Sequence, residues 1–381
     1  MAHIESLDIH DLLGRATPLS RALNRHLNVF FGLNGSGKTS ILNILRVSLT
    51  RDGKHAQWVP FKHARVNIYS NDHVATFEHN IVRKNNDSVV AQRGRGIIGS
   101  PDPTVELSIK SDKSLKPGGW THEFLPAHRI YEYGFRTSVQ PPVSSSDFNP
   151  HSADVAFESA MSEQWLRIAS SIQQRVSALQ TEAMGKIIAA LISSVSTVER
   201  TETTQSIDPQ AAYERLMSFF GTQVTHPFSQ TEFRTSFTGS RNLREVVSIL
   251  EGLELQIGEA RRPQSRLQEF LARLYSSGKS VTFLDNKIDV ILADKSSIGV
   301  RSLSSGEKHI LRLLLGAFRA GDSTFIIDEP ELSLHVGWQE QLVHMLREMN
   351  PKAQVIMATH SPEIVRSAEE LGGQIIDLDS I

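Results

Sequence analysis

Residues 32–39 read Gly-Leu-Asn-Gly-Ser-Gly-Lys-Thr. A glycine, four residues and then Gly-Lys-Thr is a pattern that dictates its surroundings, because it works only between a strand and a helix. Both flanks are present: Leu27-Asn28-Val29-Phe30-Phe31 is an apolar run of strand length, and Ile41, Leu42, Leu45 and Leu49 recur at helical spacing. Glycines at 32, 35 and 37 admit backbone conformations closed to other residues, so successive amides turn inward as a cradle for phosphate oxygens. The helix beginning near Lys38 adds its positive end to the same spot. Asn34, Gly35, Ser36, Gly37, Lys38, Thr39 and Ser40 are therefore assigned to ATP, with Lys38 reaching the β- and γ-phosphates and the Thr39 hydroxyl ligating Mg2+.

At 381 residues the chain exceeds most single domains, so one large domain with an insertion, or two domains, is expected. The absence of cysteine excludes a disulfide framework and a thiolate metal site. No apolar run is long enough to cross a bilayer, and Met1-Ala2-His3-Ile4-Glu5 lacks the order of a secretory signal. A cytoplasmic protein without a membrane partner is the expectation. The net charge of -2 hides an asymmetry: residues 1–100 carry 13 Lys and Arg against 7 Asp and Glu, leaving 27 against 35 for the rest. A basic first quarter makes DNA a candidate partner. His10, Arg15, Arg21, Arg25 and His26 lie within it, each either a nucleotide contact or solvated charge.

Residues 3–31 read as one or two short strands, a polar turn over 14–18 and the strand entering the loop. Short β-like runs follow at 66–69, 74–82, 89–92 and 105–109, with Asn85-Asn86-Asp87 as a turn, which predicts an antiparallel hairpin beside the nucleotide fold. Residues 120–126 read as a further strand. The stretch 140–146, Gln-Pro-Pro-Val-Ser-Ser-Ser, has linker composition and marks a boundary. Beyond it Met161, Trp165, Ile168, Ile172, Val176 and Leu179 step by four and three, a long amphipathic helix with coiled-coil-like spacing. Residues 197–206 read as a polar loop. Asp208-Pro209 opens the next helix, which runs to Phe219-Phe220 and ends at Gly221. A second long helical pattern over 241–275 is expected to break near Pro263.

Residues 324–331, Thr-Phe-Ile-Ile-Asp-Glu-Pro-Glu, read as a buried strand ending in acids. Asp328 is placed to hold the Mg2+ shell, and Glu329 to polarise and orient an attacking water. Two further stretches carry a resemblance. Leu303-Ser304-Ser305-Gly306-Glu307-Lys308, before the apolar helix of Ile310, Leu311, Leu313, Leu314 and Leu315, resembles the signature motif of ABC-type ATPases. Val355-Ile356-Met357-Ala358-Thr359-His360-Ser361-Pro362 resembles the strand that carries their switch histidine. The resemblance implies that Ser304, Ser305, Gly306 and Glu307 meet the γ-phosphate of ATP held by a partner subunit. It implies that His360 touches the γ-phosphate, and that Glu331-Leu332-Ser333-Leu334-His335 occupies the place of the loop that signals across the dimer.

Asp-Glu-Pro-Glu with Leu-His downstream, and Thr-His-Ser-Pro at the switch, is similar to RecF- and SMC-related ATPases. Within that group it most resembles those of the overcoming-lysogenization-defect and abortive-infection kind, including the ATPase halves of phage-defence systems such as Septu and PARIS. The expected fold is α/β: an ABC-type head from residues 1–140 and 279–381 with a β-rich side lobe, and an inserted helical lobe at 150–278. No glutamine stands obviously in the γ-phosphate-sensing loop; Arg129 is the leading substitute, with Gln92 and Gln140 as alternatives. Only 21 residues follow His360, so the acidic nuclease domain of single-chain relatives is not expected here. The function so implied is an ATP-hydrolysing switch that dimerises head to tail, with higher oligomers open, and controls a separate effector such as a nuclease or toxin. A RecF-like repair ATPase gripping duplex DNA is the alternative. A scaffold stabilised by bound ATP, and a transporter ATPase, are further readings.

Overall fold

The computed structural model describes residues 2–84, 103–111, 122–126, 150–193, 208–220, 229–275, 278–284 and 287–380. Arg129, Gln92, Gln140, the 140–146 linker, the 197–206 loop and Gly221 lie outside these. The chain forms two compact units, Met1–Gln164 with Leu267–Ile381, and Trp165–Arg266.

The first unit opens with β1 (Ala2–His10), β2 (Leu19–Ala22), β3 (Leu27–Phe31) and helix α1 (Lys38–Thr50). β4 (His63–Ser70), β5 (Ala75–Lys84), β6 (Thr104–Ser111) and β7 (His122–Leu125) follow. An antiparallel sheet runs in the order β2-β1-β4-β5-β6. Buried residues alternate along β4 and β5, as expected of strands with one face on the core. β4 and β5 turn at 71–74, where Val74 sits at φ 48, and β5 pairs with β6 on its other side; the 85–92 turn and strand lie outside the described residues.

Against this lobe stands a second, parallel sheet, ordered β13-β3-β12-β11-β7. β11 spans Thr324–Asp328, β12 Gln354–Thr359 and β13 Gln374–Asp377. Every neighbouring pair runs parallel, and the interiors of the three central strands are apolar, as burial on both faces demands, save for Asn28 of β3, whose side chain is satisfied by the Asn24 backbone. Register aligns Phe31 with Thr359 and Asp328 with Ala358. The carboxyl ends of β3, β12 and β11 therefore form one edge, where open α/β sheets hold ligands. Helix α1 contacts β4, β5, β11 and β12 and buries Ile41, Leu42, Ile44, Leu45 and Val47 completely. A helix apolar on opposite sides fits only between two layers.

Helix α6 (Ser305–Ala320) contacts β7, β11 and α7 (Val336–Met349). Gly316 marks its closest approach: a Cβ there would lie 3.0 Å from Leu125 Cδ1 and from Phe325 Cζ. Gly316→Val overfills this contact and is expected to cost about 1–3 kcal/mol, read as a lowered midpoint in chemical denaturation. Helix α8 (Pro362–Glu370) leads to β13. A three-stranded antiparallel sheet of β8 (Ser280–Phe283), β9 (Ile288–Ile291) and β10 (Ser297–Gly299) precedes α6; its strands are too short to stand out in the sequence.

The second unit is helical: the greater part of α2 (Pro150–Ser193), α3 (Pro209–Phe220), α4 (Gln230–Gly239) and most of α5 (Arg241–Leu274). Asp208 caps α3, its carboxylate accepting from the amides of Gln210 and Ala211 at 3.2 and 3.4 Å. Phe233, Phe237, Val247 and Leu250 form the core with Ala212 and Leu216. This unit is narrower than the 150–278 assigned from sequence, since the first turns of α2 and the last of α5 belong to the first unit. The expected break near Pro263 is absent, and α5 runs through it. A proline removes one helical hydrogen bond and crowds the preceding turn. The 34-residue helix retains buried apolar positions on either side, Leu250 and Leu253 before and Leu267, Phe270 and Leu271 after.

Candidate functional site at the carboxyl edge of the parallel sheet

β3 delivers the chain into the glycine loop, where Gly35 and Gly37 take φ 86 and 95, values that only glycine adopts without strain. Lys38 begins α1 and is 5% exposed. Its ammonium donates to the carbonyls of Gly32 at 2.7 Å and Leu33 at 2.9 Å, which holds the charge inside the loop. Asn34, Gly35, Gly37, Lys38, Thr39 and Ser40 line a cleft of about 240 Å3 together with Leu13 and Glu329. Ser36 is buried and contributes its backbone, whose carbonyl accepts from Arg15 Nη2 at 3.1 Å.

β11 brings its acids to this cleft. Thr39 Oγ1 donates to Asp328 Oδ2 at 2.9 Å. Asp328 is 3% exposed, and burial, with Glu329 and Glu331 adding to it, pushes its carboxyl up to about 6 against the opposing Thr39 hydrogen bond and Lys38 charge. Its Oδ1 is buried without a hydrogen-bond partner among the described residues. A bare carboxylate oxygen beside a threonine hydroxyl is the hard-oxygen set that Mg2+ takes, so these residues fit the ion. In an extended strand Asp328 and Glu329 would face opposite ways. Glu329 instead adopts φ 48 with its amide donating to Ala358 O at 2.8 Å, and so lines the same cleft as Thr39. Left-handed backbone at a non-glycine residue is strain of the kind held at working sites.

His360 follows β12. Glu331 Oε1 accepts from its backbone amide at 2.8 Å and lies 3.0 Å from its Nδ1. From the other side, His309 of α6 donates from Nε2 to the Pro330 carbonyl at 3.0 Å. A carbonyl only accepts, so that nitrogen carries the proton; burial, reinforced by Arg312, lowers His309 to about 4 and keeps it neutral. Ser361 caps α8.

Ser304, Ser305 and Gly306 stand at the N-terminus of α6, and none of them lines the cleft of Lys38 and Glu329. Ser304 and Ser305 are exposed. A Cβ on Gly306 would come within 2.8 Å of the Ser333 carbonyl and 3.3 Å of the Trp338 ring, so glycine permits this contact with the 331–335 loop. Glu307, expected to contact the nucleotide of a second copy, is occupied within this chain. Its carboxylate accepts from the Ser304 amide at 2.7 Å and pairs with Lys279 at 3.1 Å, closing a capping box. Arg129 lies outside the described residues.

Leu13 and Asp379 escaped the sequence reading, and Arg15 is named there only as a nucleotide contact or solvated charge. Leu13, at φ 56, reaches the cleft from a turn that carries no motif. Arg15 bridges Ser36 O and Leu378 O, both at 3.1 Å, and Asp379 Oδ2 accepts from the Leu33 amide at 2.8 Å; together they tie the phosphate loop to the chain beyond β13. A second cavity of about 410 Å3 in the helical unit, lined by Pro209, Gln230, Thr231, Arg234 and Thr235, holds none of the residues assigned from sequence.

A phosphate loop and an acid-tipped strand meeting at one edge of a parallel sheet define a P-loop ATPase fold, here with a helical insert. A family model described as "AAA domain" matches residues 19–273, and one described as "AAA domain, putative AbiEii toxin, Type IV TA system" matches residues 227–366. The chain belongs to the AAA domain family. It is similar to the Septu protein PtuA of Bacillus thuringiensis, 32% identical over 110 residues that cover 25% of this chain and 26% of that one. It is also similar to the retron Ec83 probable ATPase of Escherichia coli, 31% identical over 94 residues covering 21% and 17%. The chain thus matches about a quarter or less of the length of these curated relatives. Among solved structures, an Smc head domain bound to the C-terminal domain of ScpA, from Pyrococcus furiosus, aligns at 13% identity and a TM-score of 0.43, over 96% of this chain and 92% of that one. Among the described residues, no helix is long and apolar enough to cross a membrane.

Proposed function

We propose that this chain binds ATP with Mg2+, hydrolyses it, and uses the cycle to associate with a second copy of itself and govern a separate effector. The observation that carries the reading is the 2.9 Å contact of Thr39 with Asp328 beside a buried Lys38, since phosphate, metal and lysine positions converge there. The loop amides and Lys38 bind and orient the phosphates. Mg2+, held by Thr39 and Asp328, would neutralise phosphate charge. Glu329 orients a water and takes up its proton; the water oxygen bonds to the γ-phosphorus as the bond to the β–γ bridging oxygen breaks, and ADP leaves with that electron pair. His360 steadies the γ-phosphate. Ser304, Ser305 and Gly306 are exposed or amide-presenting at a helix N-terminus away from their own cleft, which supports their serving the nucleotide of a second copy.

The toxin-system wording of one family model and the similarity to a Septu protein support a partnership with an effector such as a nuclease or toxin. For the DNA alternative, part of the basic N-terminal charge is already committed: Lys84 pairs with Glu106 and Arg65 with Glu78. Steady-state ATP turnover of the purified protein with Mg2+, with and without linear duplex DNA, tests the reading. Turnover indifferent to DNA is expected. A severalfold, salt-sensitive rise with DNA favours the RecF-like alternative, and neither turnover nor ATP binding overturns the proposal.

A further inference from the structure

Glu331 is a carboxylate buried to 6% exposure in a loop otherwise read as a connector. Burying such a charge is costly unless hydrogen bonds and counter-charge offset it. Buried carboxylates that serve stability alone are usually ringed by donors or paired with Lys or Arg. Glu331 is different: the one hydrogen bond its side chain makes among the described residues is accepted from the His360 backbone amide at 2.8 Å, and the same oxygen lies 3.0 Å from the His360 Nδ1. Its second oxygen is buried without a partner among the described residues. The segment that carries it is held on two sides, by the His309 contact to Pro330 and by the Glu329 amide on β12.

We propose that Glu331 is the positioning residue of His360. Gripping backbone and ring at once, it fixes the imidazole's rotation about the chain and commits the Nδ1 proton. Nε2 is then the ring atom left for a bound phosphate, accepting from a water or, with the ring protonated, donating to a phosphate oxygen. The logic is that of a carboxylate orienting a working histidine through its far nitrogen. It rests on the ATPase reading above and adds to it a residue that touches neither nucleotide nor metal.

A double-mutant cycle tests the proposal, with kcat, the KM for ATP and the Mg2+ concentration for half-maximal rate measured on full-length wild type, Glu331→Gln, His360→Ala and the double variant. Glu331→Gln is expected to lower kcat about 10–100-fold with KM changed less than about twofold, and the double variant to match His360→Ala within about twofold, because a residue acting through His360 has nothing left to act on. Losses that multiply, or wild-type kcat in Glu331→Gln, overturn it. So does a raised Mg2+ requirement in Glu331→Gln alone, which would make Glu331 a partner of the metal. If Glu331→Gln does not fold, the imidazole 15N shifts of His360 in the wild-type protein decide: a protonated Nδ1 supports the proposal, and a bare Nδ1 overturns it. Failure of the wild type to turn over ATP sinks the ATPase reading and this proposal together, a result distinct from a working wild type matched by its variant.

Discussion

Glu329→Gln is expected to lower ATP turnover by about 100-fold or more while leaving the affinity for ATP within about twofold. Glutamine keeps the size and the left-handed backbone of the site but cannot take up the charge that polarises a water. The phosphate loop, Lys38, Thr39 and Asp328 remain in place, so binding survives. On the proposed assembly the variant accumulates with ATP and elutes as a dimer where the wild type does not. Single-turnover kinetics, nucleotide titration and gel filtration check the three parts. Turnover within a few-fold of the wild type would remove Glu329 from the chemistry and move attention to His360.

The second large effect concerns stability. The Asp328 carboxyl is raised to about 6 mainly by burial, so between roughly pH 4 and 6 the native state holds a proton that the unfolded chain has released. Folding stability therefore falls as pH rises through that window, and above it the full penalty stays, about 3 kcal/mol for a shift of about two units. Asp328→Asn does not ionise. Its stability relative to the wild type should rise by about 2–2.5 kcal/mol between pH 4 and pH 7.5 with divalent cations chelated, the buried amide adding a constant cost of its own. Added Mg2+ should stabilise the wild type and leave the variant unmoved. Denaturation profiles that run parallel across this range would show that Asp328 ionises at its ordinary pH.

What was legible in the chain follows from how local each cause is. The loop of 32–39, its strand and its helix depend on neighbours in sequence, and β3, α1, β11 and β12 formed where apolar runs and glycines placed them. The capping boxes of α4, Ser229 with Glu232, and of α6, Ser304 with Glu307, are equally local in cause. By contrast, nothing near Leu13 or Asp379 announces a role, and the tie that Arg15 makes from the phosphate loop to Leu378 is not written in its neighbours, because each meets the loop only after distant segments pack. The partnership of Glu331 with His360 is likewise tertiary. Pro263 erred in the other direction, since a local helix breaker was overruled by burial before and after it.

The parallel sheet sets β3 between β12 and β13, strands that lie more than three hundred residues downstream. A ribosome adding about 5–20 residues per second leaves the phosphate loop without either neighbour for tens of seconds after it emerges. During that time β3 and α1 present apolar surface that has no native cover, and neither Asp328 nor Asp379 exists to complete the loop. A nascent or truncated chain is thus denied a finished nucleotide site by topology alone. Ligand binding then requires synthesis at least through β13 and Asp379.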